Sequence, residues 1–68
     1  MKSRLTELSA TLYKGNDIKI DKEEFEVISV KRKFHNGQAI QLDVTFRDNV
    51  DGAPMTVVIT PQNVHEFI

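Results

Sequence analysis

Residues 25–47, FEVISVKRKFHNGQAIQLDVTFR, decide how the rest of the chain is read. In the second half Ile40, Leu42, Val44 and Phe46 alternate with Gln41, Asp43, Thr45 and Arg47. That is the period of a strand with one covered face. The first half, Phe25 to Phe34, reads as a longer strand whose parity changes. Phe25 and Val27 share one face and Ile28, Val30 and Phe34 the other, so either both faces are covered near residue 27 or a bulge or bend exchanges them. Between the halves, Asn36-Gly37 invites a two-residue type I′ turn. That turn sets Ile40, Leu42 and Val44 opposite Lys33, Lys31 and Ser29, with lysines across from the core. A three-residue loop His35-Asn36-Gly37, with Gly37 left-handed, pairs Phe34 with Gln38 and places Val30 against Leu42 and Ile28 against Val44. The three-residue loop is therefore the expectation.

Upstream, Leu5, Leu8 and Leu12 form one stripe of a helix over Ser3–Tyr13, with Ser3 as N-cap and Gly15-Asn16 as the stop. Thr6, Ser9 and Thr11 write it weakly, so the leucine stripe must dock to hold it. Asp17 to Ile20 alternates as a short strand, and Asp21-Lys-Glu-Glu24 is a polar turn. Downstream, Asn49 to Pro54 is a loop and Met55 to Thr60 the last strand. Thr60 followed by Pro61 then opens a short helical turn carrying Val64, Phe67 and Ile68. The fold class is α+β: an N-terminal helix, an antiparallel meander of about four strands, and a short C-terminal helical turn. A long bent strand inside such a meander resembles the small SH3-like and Sm-like barrels in architecture. A flat sheet with the helix across one face is the rival arrangement.

Sixty-eight residues make one small domain, residues 1–68, with 9 Lys+Arg against 10 Asp+Glu and no cysteine. A chain this short buries only about 60% of the surface its unfolded form exposes, so association that covers more apolar surface adds to its stability. The absence of cysteine, of an apolar leader after Met1-Lys-Ser-Arg4 and of any long apolar run leads to the expectation of a cytoplasmic protein with no membrane partner.

No catalytic constellation stands out, and no enzyme activity is expected. His35 and His65 have no ligand-spaced His or Cys beside them, so no metal site is expected. Asp48-Asn-Val-Asp-Gly52 has the flavour of a calcium loop, but alignment on Gly52 puts Arg47 at the first ligand position and Val58 at the twelfth. It reads as a turn. The three glycines are isolated at turns, without a phosphate-cradling motif, so no cofactor is expected. Ser3, Ser9 and Ser29 have no neighbouring His and acid, and Glu23-Glu24 lie on a solvated turn beside Lys22.

Two binding surfaces remain. Ile18, Ile20, Phe25 and Val27 share one face of the first hairpin, and one short helix cannot obviously cover both faces of the sheet. An uncovered apolar patch there points to a protein partner or a homo-oligomer. The alternative is a small nucleic-acid-binding barrel using Lys31, Arg32, Lys33 and His35. Against it, strand alternation splits Lys31 and Lys33 from Arg32, and the net charge is −1. The expectation is a non-catalytic interaction or self-assembling domain.

Overall fold

The computed structural model describes residues 3–67, so the expected place of Ile68 in the last turn lies outside the described residues. A helix α1 (Arg4–Thr11) precedes strands β1 (Asp17–Ile20), β2 (Glu23–His35), β3 (Gln38–Arg47) and β4 (Pro54–Ile59), and a 3₁₀ turn η1 (Val64–Phe67) follows. The strands form one antiparallel meander in the order β1-β2-β3-β4. The sheet is open. β1 and β4 do not meet, so the barrel-like closure is replaced by a sheet with α1 and η1 against one face. The register shifts in the β2–β3 hairpin do not bring the outer strands together.

Register is where the sequence and the structure part. His35 pairs with Gln38, and Asn36 (φ 51°) and Gly37 (φ 77°) form a two-residue left-handed turn in place of the three-residue loop. The lysines nevertheless stay off the core face. Lys33 pairs with Gln41 while Phe34 pairs with Ala39, so Ile40 is an extra residue in β3 and restores the parity one step past the turn. Val30 then meets Val44, and Arg32 meets Leu42. A second bulge, at Ile28 in β2, returns Val27 to the same face opposite Phe46. The parity change read around residue 27 is this bulge.

The covered face holds the core: Leu5, Leu12, Ile18, Val27, Ala39, Leu42, Val44, Phe46, Ile59 and Val64. Phe25 packs its ring against Phe46 in a tilted contact, with centroids 4.9 Å apart and an interplanar angle of 49°. The opposite face is polar, with Lys31 across from Asp43 and Ser29 from Thr45. Ser3 caps α1, its Oγ accepting from the Thr6 N–H at 3.2 Å. One of the weak helix formers, Thr6, is its anchor to the sheet. Thr6 Oγ1 accepts from the Ala39 N–H (2.9 Å) beside the β3 bulge and donates to Gln38 Oε1 (2.9 Å). Ser9 Oγ donates to Thr6 O within the buried interface (2.7 Å).

Candidate strand-edge interface

The apolar strip expected to be open is not. Ile18 and Val27 are 2% and 1% exposed, and Ile20 and Phe25 are half-buried against the core. The reason lies in the chain after β4. η1 crosses back over the covered face to β1 and reaches α1, so the first hairpin has a lid that periodicity alone did not reveal.

The basic run divides as alternation requires. Lys31, Lys33 and His35 are exposed, and Lys31 has Asp43 directly opposite. Arg32 faces inward and is committed to the fold. Its Nε donates to Ser9 O (3.0 Å), its Nη2 donates to Leu12 O, and its guanidinium lies 4.6 Å from the Tyr13 ring centroid. Because α1 has no basic residue in its last turn, Arg32 supplies the positive charge that the carbonyl end of the helix favours.

His35 and His65 do not come together into a ligand set. Among the described residues no group of three or more His, Cys, Asp or Glu side chains gathers to hold a metal ion. The acidic loop closes on its own backbone: Asp48 Oδ1 accepts from the Val50 N–H (2.8 Å) and Asp51 Oδ1 from the Ala53 N–H (2.9 Å). An open hollow of about 420 Å³ beside the first hairpin is lined by Lys19, Asp21, Lys22, Glu66 and Phe67. No helix among the described residues is long and apolar enough to cross a membrane.

The feature with unanswered bonding capacity is the outer edge of β4. The Asp48 N–H donates to Ala53 O (2.9 Å) while the Asp48 carbonyl accepts from the Gly52 N–H (2.9 Å), a bulged closure in which the Ala53 carbonyl faces β3 and sets the phase of the ladder. Pair types alternate along an antiparallel ladder. Met55, Val57 and Ile59 therefore turn their backbone groups to Phe46, Val44 and Leu42, while Pro54, Thr56 and Val58 turn theirs outward. Asn63 fits this geometry. Its Nδ2 donates to Val58 O (3.1 Å), and its Oδ1 accepts from the Thr60 N–H (2.7 Å).

Sheet edges are ordinarily protected by charge, shortness or cover. β1 has two of these: four residues only, and the charges of Asp17 and Lys19. β4 is protected only at its ends, where Pro54 lacks an N–H and Asn63 holds the Val58 carbonyl and the Thr60 N–H. No charged residue occurs from Ala53 to Val64. Met55 and Val58 are 48% and 46% exposed, and only Pro54 and Pro61 punctuate the ends. That uncharged run was visible in the sequence as a signal, but which strand lies at the edge was not. No protein-family model, no curated protein and no solved structure matches the chain.

Proposed function

We propose that this chain is a non-catalytic protein-interaction module that accepts an extended strand along the outer edge of β4. The single observation that carries it is an outermost strand with outward backbone groups at Thr56 and Val58 and no charged side chain to repel a newcomer. Backbone bonding would give the affinity, and Met55 and Val58, on opposite faces of β4, would give side-chain contact on either side of the added strand. The nucleic-acid alternative is supported less, because Arg32 is bonded to the helix end and Asp43 faces Lys31.

The test is a random peptide library panned against the protein and counter-selected on Thr56→Pro. Proline there removes an outward N–H and leaves the β3 ladder its bonds. Peptides that bind the parent chain, shift the Thr56 and Val58 amides in a ¹⁵N spectrum and fail on the variant are the expected result. Binders that leave those amides unmoved, or no binders together with no self-association, overturn the proposal.

A further inference from the structure

We infer that the strand added to β4 is the β4 of a second copy, antiparallel and centred with Thr56 opposite Thr56 of the partner. The inference rests on the strand-addition reading above and names its occupant. It is carried by the distribution of bonding groups on this edge. Pro54 lacks an N–H, and among the described residues nothing bonds the Thr56 N–H, the Thr56 carbonyl or the Val58 N–H, while Asn63 already holds the Val58 carbonyl. The Thr60 N–H, next in line, is taken by Asn63 Oδ1.

Two donors and two acceptors are thus left, and only one two-fold register uses all of them. With Thr56 on the axis, the two Thr56 residues exchange N–H and carbonyl bonds. Each Val58 N–H then reaches the other copy's Pro54 carbonyl. The donor missing at Pro54 falls opposite the acceptor that Asn63 has occupied, so each deficiency cancels the other. Moving the axis one position toward Val57 directs the Thr56 N–H at the occupied Val58 carbonyl and leaves Pro54 without a donor. Moving it toward Met55 leaves the Thr56 carbonyl unpaired.

Side chains agree with that register. On the covered face Met55 comes opposite Val57, and on the polar face Pro54 comes opposite Val58. The contact between Thr45 and Thr56 hydroxyls (3.1 Å) continues into a four-threonine row. Any charge near a two-fold axis meets itself, which the uncharged run from Ala53 to Val64 avoids. The two open sheets become one eight-stranded sheet with both helices on the same side. A contact this short buries less than about 1,200 Å², the size of a weak, reversible interface.

The experiment is a charge swap on the axis, read by sedimentation velocity up to about 1 mM protein, a range suited to weak association. The parent chain is expected to show a monomer–dimer equilibrium. Thr56→Lys and Thr56→Glu, each alone, are expected to weaken it at least about tenfold, and the equimolar mixture to regain association as a heterodimer. A dispersed ¹⁵N spectrum for each variant shows that the fold persists. A parent chain that stays monomeric, or a mixture that does not recover association, overturns the second-copy inference. Peptide binding at the Thr56 and Val58 amides would still leave strand addition standing in that case, and loss of both removes both.

Discussion

Arg32 shows how one residue changes meaning between chain and fold. In the sequence it is the middle of a basic run, and in the structure it closes the carbonyl end of α1 and lies over Tyr13. Replacing it with Met keeps the aliphatic stem but leaves two helix-end carbonyls without their donor. We expect a loss of about 1–3 kcal/mol in denaturant unfolding, with Arg32→Lys intermediate because an ammonium cannot serve both carbonyls in one plane. Lys22 is the opposite case. It sits at φ 69° beside Asp21 at φ 51°, two non-glycine residues in a two-residue left-handed turn. Lys22→Gly should raise stability by about 0.5–1 kcal/mol, since it relieves the left-handed penalty and makes the turn an Asp-Gly type I′. A thermal midpoint that fell would show that this turn is held by its surroundings instead.

At the scale of elements, α1 is joined to the sheet by threonine chemistry as well as by leucines. Leu5 and Leu12 are buried as their spacing requires, but the register of the helix on β3 is set by Thr6, whose hydroxyl takes the Ala39 N–H next to the Ile40 bulge. Thr6→Val keeps the shape and volume and removes that acceptor. A cost of about 1–3 kcal/mol is expected, and amide exchange at Ala39 should quicken more than exchange at Val44. Equal acceleration at both amides would mean that Thr6 contributes only packing. The β2–β3 hairpin makes a related point. Alternation correctly kept the lysines off the core face, but two devices can achieve that, a longer loop or a bulge within the strand. The chain uses the bulge, and Asn36-Gly37 keeps the tight turn its dipeptide prefers.

At the scale of the molecule, the long central hairpin gives a body of 39 × 20 × 16 Å with α1 and η1 on one side and a polar sheet face on the other. That polar face carries Lys31 and Lys33 opposite Asp43 and Gln41. Titration with a single-stranded or duplex oligonucleotide at low salt should therefore show no binding tighter than the non-specific range of about 10⁻⁴ to 10⁻⁶ M. Tight, steeply salt-dependent binding lost on Lys31→Ala with Lys33→Ala would reinstate the polynucleotide alternative. The α+β class, the order of elements, the leucine stripe and the strand alternation were all determined by the sequence itself, because each depends on the spacing of apolar residues along a helix or strand. Only the tertiary structure decided that the sheet stays open, that η1 folds back over Ile18 and Val27, and that β4 is left as the outermost strand with Thr56 and Val58 turned outward. Those outcomes depend on which distant segments meet, and neither periodicity nor composition encodes which edge the last turn of chain will cover.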